Sequence, residues 1–256
     1  SHLKRFYNFS WMATIDGTPL DEQWLYWMMK ADHVFTYSDW AIDILKQESA
    51  GKVNVVCSHS PGVDFNSFKP VPNKAQHKQS IGLNPNAYII GTIMRNQKRK
   101  LYPDLFLAFR DFLEHCKDKN EDLYKNTYLY IHTSYPDSGW DIPRLIKEND
   151  IGRRVLLTYI CQNCHQIFSS LFQDARTICT KCNKLAAVLP NTQHAVPSNI
   201  LGAIINTFDM YVQYATNEGL GMPQIEAGAC GVPIMSTDYS AMSDVVRKLK
   251  GFPIKV

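Results

Sequence analysis

No run of apolar residues in the 256-residue chain approaches the ~18 needed to cross a bilayer, and no secretory leader pattern is visible. A membrane-spanning helix is therefore not expected, and a cytoplasmic location is. No internal repeat or low-complexity tract occurs, which sets aside repeat architectures and disordered linkers. An excess of one charge is also missing: 27 Lys and Arg against 24 Asp and Glu leave a net charge of +3. A pI near 8.4 is too mildly basic to argue for nucleic acid, and no nucleic-acid partner is expected. What the chain does have is 45% hydrophobic residues, enough core for one large domain or two modest ones.

The apolar residues fall into short runs alternating with helical periodicity. Strands are expected over residues 34–37, 53–57, 88–94, 127–131, 155–159, 209–215 and 232–235. Helices are expected over 20–30, from Ser38 or Asp39 to about Lys46, over 103–115, 142–148, 198–208 and 223–230, and from near Ser240. In the first, Leu20, Trp24, Trp27 and Met28 share a face. Strands alternating with helices predict an α/β fold with parallel sheets. Residues 58–85 are polar and contain four prolines, which reads as a crossover between two domains.

Three clusters carry candidate chemistry. The segment Asn217-Glu218-Gly219-Leu220-Gly221-Met222-Pro223-Gln224-Ile225-Glu226 joins a strand to a helix through a glycine loop, the place where open α/β sheets bind ligands. Gly219 and Gly221 let the backbone approach a ligand, the helix N-terminus favours an anion, and two carboxylates so spaced suit a polyhydroxylated molecule. Two solvated surface glutamates are the plainer alternative. Arg95, Lys98, Arg99 and Lys100 directly follow another strand; arginine grips phosphate through two donors and lysine adds a point charge. A solvated charge run or a nucleic-acid patch is the alternative there. Cys161, Cys164, Cys179 and Cys182 form two C-x2-C knuckles, the spacing of a closed four-thiolate zinc site with structural rather than catalytic zinc. A pair of disulfides is the less favoured alternative. Cys57, Cys116 and Cys230 are expected to be buried apolar residues, and His33, His59, His132 and His194 structural ones.

The glutamate segment closely resembles the glutamate-x7-glutamate signature of retaining glycosyltransferases of the GT-B fold, especially their large fourth family, the glycosyl transferases group 1. Three further blocks agree in order. Ser60-Pro61-Gly62-Val63-Asp64 with Phe68 and Pro70 resembles the crossover segment. The strand through Gly91 to Arg95 and Lys100 resembles the first strand of the second domain with its arginine-x4-lysine pair. Ala31 to Ser38 resembles the strand and serine cap closing the first domain. Thr14-Ile15-Asp16-Gly17 is similar to the loop near the donor sugar, although an Asp-Gly turn explains it equally.

The resemblance implies transfer of a sugar from a nucleotide-diphosphate donor to an acceptor such as a glycan, lipid or protein, in a cleft between two Rossmann-like domains. It places Glu218, Arg95, Lys100 and Asp16 at the reaction centre. Glu226, Gly219, Leu220, Gly221, Met222 and Gly91 then contact the donor, with Glu226 at the ribose. No catalytic metal is implied. The expected division is residues 1–70 as the end of a first domain, 71–256 as the second, and 160–184 as an inserted zinc ribbon that the family lacks and that offers a protein contact surface. By the same resemblance most of the first domain is missing, and the chain reads as a fragment whose membrane association is open. A catalytically silent nucleotide-sugar scaffold and a GT-B sugar-nucleotide epimerase are the rival readings.

Overall fold

The computed structural model describes residues 6–191 and 193–255. Three parallel strands, β1 (Ser10–Ala13), β2 (His33–Thr36) and β3 (Val55–Ser58), form a first sheet in that order. The crossovers are α1 (Glu22–Met28), capped by the Asp21 carboxylate on the Gln23 amide at 2.8 Å, and α2 (Asp39–Glu48), capped by the Ser38 hydroxyl on the Ala41 amide at 3.2 Å. Ala13, Ile15, Met28, Val34, Leu45 and Val53 fill the core between them. The face expected for α1 is only partly the buried one. Met28 and Leu25 pack inward while Trp24 and Trp27 face solvent. This helix has apolar residues nearly all round, so periodicity alone does not choose a face.

The crossover contains a helix not expected from the sequence, α3 (Lys74–Ser80), capped by the Asn73 side chain on the Gln76 amide at 3.0 Å. Its polar composition concealed it. Lys78 is buried and donates to the Asp209 carboxylate at 2.6 Å and to the Ala87 carbonyl at 2.6 Å, so α3 is anchored to the second sheet and not to the first.

The second sheet has the order β12-β11-β10-β4-β5-β6-β9-β8, with β7 also paired to β6. β4 (Tyr88–Ile93), β5 (Thr127–His132), β6 (Val155–Cys161), β10 (Met210–Gln213), β11 (Ile234–Thr237) and β12 (Phe252–Ile254) run parallel. Every residue of β6 is buried, as a strand covered on both faces requires. α4 (Tyr102–Lys119) and α6 (Ile142–Glu148) pack on one face through Phe106, Phe109, Ile142 and Ile146. α7 (Ser198–Ile205) and α8 (Met222–Ala229) cover the other through Ile204, Ile205 and Ala227. α5 (Glu121–Asn126), β1 and β12 are short elements not expected from the sequence. Pro197, not Ser198, caps α7, without a side-chain bond.

Beyond β6 the chain turns antiparallel through β7 (Ile167–Leu171), β8 (Arg176–Ile178) and β9 (Leu185–Val188), and this run extends past the expected limit of 184. After the excursion the chain crosses back to lay β10 on the opposite side of β4. The strand order thus reverses between β4 and β10. The first sheet's α2 docks on α9 (Ser240–Lys248), where the Asp244 carboxylate accepts the Trp40 amide at 2.8 Å and Lys248 meets Asp39 at 2.9 Å. Among the described residues no helix is long and apolar enough to cross a membrane.

Candidate active site

At a reversal of strand order the loops leaving two neighbouring strands diverge and open a crevice at their carboxyl ends. Here the two are the basic loop after β4 and the glycine loop after β10. Their backbones are tied together: the Leu101 amide donates to Tyr214 O at 3.2 Å, and the Thr216 amide to Arg99 O at 2.9 Å. Asn96, fully buried, braces the basic loop from behind by exchanging bonds with the Trp140 backbone at 2.7 and 2.8 Å. The Trp140 indole donates to Lys100 O at 2.7 Å, and Lys98 lies over its ring at 4.0 Å. The candidate side chains therefore sit on a fixed frame.

Glu218 is the hub of that frame. Its side chain is 8% exposed, and both oxygens are engaged. Oε1 contacts Lys100 Nζ and accepts from Gln213 Nε2 at 2.7 Å, while Oε2 accepts from Arg99 Nη1 at 2.7 Å. Its amide donates to Ser240 Oγ at 3.0 Å. Gln213 is in turn held by the Tyr211 hydroxyl, which donates to its Oε1 at 2.5 Å. Desolvation lowers the Lys100 ammonium to about 7, with nearby Arg99 acting in the same sense. The Glu218 carboxylate against it opposes that loss of charge.

A solvated charge run was the alternative reading for the four basic residues, and Arg99 does not fit it. This residue is half-buried and ion-paired, because the turn after Lys98 carries it back over the glycine loop. Gln213 was missed altogether. The available signal was an amide side chain at the end of an otherwise apolar strand.

Glu226 sits one turn into α8, half-buried, and its carboxylate has no partner among the described residues; burial raises its pKa. The amides of Gly219, Leu220 and Gly221 likewise have no partner among the described residues, at the start of a helix whose N-cap offers no side-chain bond. Gly221 has φ of 81°, which favours glycine. Gly219 serves a different approach from the one expected: a Cβ there would lie 2.3 Å from Thr14 Cγ2, so the loop carrying Asp16 presses against it. Asp16 itself is exposed, and its charge acts on Arg99. Leu220 buries its side chain, and Met222 opens α8.

Arg95 reaches Asp137 with Nε at 2.8 Å and Nη2 at 3.1 Å, and that contact holds the Asp137 carboxyl far below the usual range. The Nη1 edge of the guanidinium has no partner among the described residues. Gly91 is the one candidate that the structure moves away from the crevice. It lies inside β4, where a Cβ would come within 2.2 Å of the Phe208 ring, so packing of Phe208 under the sheet explains this glycine rather than donor contact.

The four ribbon cysteines converge. Their sulfurs lie within 4.8 Å of one another, with Cys161 to Cys182 and Cys164 to Cys179 each at 3.6 Å. A disulfide requires about 2.05 Å. Four thiolates around an ion at ~2.3 Å form a tetrahedron with edges of roughly 3.8 Å, and the observed separations fit it. Amides of Asn163, Cys164 and Lys181 point at the sulfurs of Cys161 and Cys179 at 3.4, 3.5 and 3.4 Å. The residue after each knuckle, His165 and Asn183, has φ of 58° and 54°, so the two halves repeat one another. Of the remaining cysteines, Cys116 and Cys230 are buried as expected; Cys57 is exposed, lying within β3 at the edge of the first sheet.

Solved structures share this architecture over nearly the whole chain. Sucrose-phosphate synthase from Thermosynechococcus elongatus matches with a TM-score of 0.67 at 17% identity, covering 99% of this chain and 57% of that one. HepE from Anabaena, solved with UDP and glucose, matches at 0.59 and 12% identity over 97% and 58%. The pneumococcal O-GlcNAc transferase GtfA, solved with UDP and GlcNAc, matches at 0.55 and 16% over 92% and 36%. The chain thus spans less than three-fifths of each of these proteins. No curated protein matches it. Residues 185–256, which include the glycine loop, both glutamates and α8, match the family described as glycosyl transferases group 1, and the chain as a whole has the α/β fold of the GT-B glycosyltransferases.

Proposed function

We propose that the crevice between β4 and β10 is the donor site of a retaining glycosyltransferase that moves a sugar from a nucleotide diphosphate to an acceptor hydroxyl. The observation that carries this reading is the convergence, at the strand-order reversal, of cations and unpartnered hydrogen-bonding groups. Lys100, the free edge of Arg95 and the open amides of Gly219, Leu220 and Gly221 suit a diphosphate. The unpartnered Glu226 carboxylate suits the paired hydroxyls of a ribose. Glu218, ion-paired with Lys100 and Arg99, is placed to accept from the transferred sugar and is not a free nucleophile.

In this reading the bond from the anomeric carbon to the leaving phosphate oxygen breaks while a bond to the acceptor oxygen forms on the same face. The acceptor proton passes to the departing phosphate. The basic groups stabilise the charge that grows on the diphosphate, the electrostatic form of catalysis. Asp16, on the loop pressed against Gly219, lies on the side from which sugar or acceptor is reached. The cysteine cluster is proposed to hold a structural zinc, because four thiolates leave no open position for water.

A panel of nucleotide sugars screened by calorimetry tests the donor site, with UDP-glucose first because UDP and glucose occupy the Anabaena neighbour. Failure of every member to bind would remove the reading. Lys100→Ala is expected to weaken binding by about 1–3 kcal/mol, the range for a charge-assisted hydrogen bond. Arg95→Ala should weaken it less, since Arg95 already serves Asp137. Glu226→Ala is expected mainly to raise the donor's Michaelis constant, the ribose being a part that does not react; a fall in turnover at unchanged Michaelis constant would place Glu226 elsewhere.

Affinity should also be bell-shaped in pH. Ionised Glu226, whose pKa is raised, accepts from hydroxyls more strongly than its protonated form, so affinity falls as pH drops through that pKa. Lys100 attracts phosphate through its positive charge, which burial weakens and the paired Glu218 supports, so affinity falls again as pH rises through the lowered Lys100 pKa. Glu226→Gln should remove the acid limb alone, and a flat profile in the unaltered protein would contradict both assignments.

A further inference from the structure

The donor site as described gives Arg99 no task beyond its charge beside Glu218, yet it grips the glycine loop at several points. Its Nη1 donates both to Glu218 Oε2 and to the carbonyl of Asn217, each at 2.7 Å. Its own carbonyl accepts the Thr216 amide at 2.9 Å. One residue therefore clasps the glycine loop by its backbone on one side of Glu218 and by the carboxylate of Glu218 itself. The two oxygens of that carboxylate are not equivalent. Among the described residues Oε1 has two partners, Lys100 and Gln213, which fill its lone pairs, while Oε2 has Arg99 alone and keeps one acceptor position. Arg99 thus decides where that remaining position points. Its side chain stays 34% exposed, so it reaches the crevice without being sealed in, and across the crevice the charge of Asp16 acts on it.

We propose that Arg99 is the positioning residue of this site: by fixing Glu218 Oε2 and the Asn217 carbonyl, it aims the open acceptor position of Glu218 at a hydroxyl of the transferred sugar. It acts on the sugar half of the donor through Glu218 and not on the diphosphate. This rests on the donor site proposed above. It also assigns the neighbouring basic residues different tasks, with Lys100 and Arg95 on the phosphates, Arg99 on the orientation of Glu218, and Lys98 on the Trp140 ring.

The distinction can be read without knowing the acceptor, by comparing two ligands that differ only in the sugar. UDP and UDP-glucose, then ADP and GDP with their glucose esters, are titrated by calorimetry into the unaltered chain and into Arg99→Gln and Arg99→Lys. Arg99→Gln should bind the nucleoside diphosphate within about twofold of the unaltered chain but lose tenfold or more for the nucleotide sugar. Arg99→Lys, which restores a cation to Oε2, should recover part of that loss. The affinity ratio of the two ligands is internal to each variant, so a general loss of folded protein does not imitate the effect. Equal losses for both ligands would make Arg99 a phosphate ligand and overturn the proposal, as would no loss for either. If the unaltered chain binds none of the nucleotides, the donor-site reading itself fails. If it binds them and Glu226→Ala weakens them while Arg99→Gln changes nothing, only the role of Arg99 fails.

Discussion

Glu218→Ala is expected to cost the folded protein about 3–5 kcal/mol, in addition to lowering turnover and blurring discrimination between donor sugars. The reason is the company Glu218 keeps. Lys100 is 6% exposed at its side chain, and the carboxylate against it is its only counter-ion among the described residues. Truncating Glu218 leaves a desolvated ammonium facing Arg99, a like charge, and leaves the Gln213 amide without its acceptor. Removing one member of a buried pair is far costlier than removing both, because the survivor's desolvation is no longer offset. Glu218→Ala combined with Lys100→Met should therefore be more stable than Glu218→Ala alone. Arg99 reaches solvent and needs no matching change. Urea unfolding checks the expectation, with a lower midpoint at unchanged slope. A loss below about 1 kcal/mol, or a double variant no better than the single one, would show that Lys100 finds another partner and that Glu218 is not the hub of the site.

This coupling of stability to chemistry is what the sequence did not disclose. The glutamate spacing, the strand before it and the helix after it were all legible, because a glycine loop between an apolar run and a helical period is a local signal. The parallel character of the second sheet was legible too, in the near-continuous apolar strands β4, β5 and β6. The reversal of strand order that sets the basic loop beside the glycine loop depends on where β10 inserts, and no local pattern encodes that. Hence Arg99, four residues beyond Arg95, read as one more charge of a basic run. Gln213 read as part of a strand. Gly91, a donor contact by resemblance alone, has a packing reason that no local pattern discloses: the ring of Phe208, more than a hundred residues away, occupies the space a Cβ would take. α3 escaped because a polar helix anchored by one buried lysine has no apolar stripe to announce it. The cysteine knuckles were legible as two C-x2-C spacings, while the chain between them is what brings one knuckle onto the other, Cys161 to Cys182 and Cys164 to Cys179.

Those knuckles carry the other large expected effect. Carefully purified protein should contain about one zinc per chain, and stripping it should unsettle more than the ribbon. Cys161 ends β6, and Cys161, Cys179 and Ala187 are buried in the same core as Phe106, Ile142 and Leu157. Tyr159 stacks on Phe168 with ring centroids 5.8 Å apart and donates its hydroxyl to Asp174 O at 2.9 Å, so the main sheet and the ribbon share side chains. The strands β7, β8 and β9 are too short to hold together unaided. A metal present at 100 to 1,000 times its dissociation constant adds ~2.7–4.1 kcal/mol to the folded state. At ~2–4 °C per kcal/mol for a chain of this size, chelation should lower Tm by about 5–15 °C. Amide exchange should show the loss first between residues 161 and 188, with β4 and β5 following only near the new Tm. Cys161→Ser and Cys179→Ser, which remove the two buried ligands, should reproduce the chelated protein and no longer respond to chelator. Purified protein without zinc, or a Tm indifferent to chelation, would mean that the four sulfurs meet without a metal and that packing against Tyr159 alone keeps the ribbon folded.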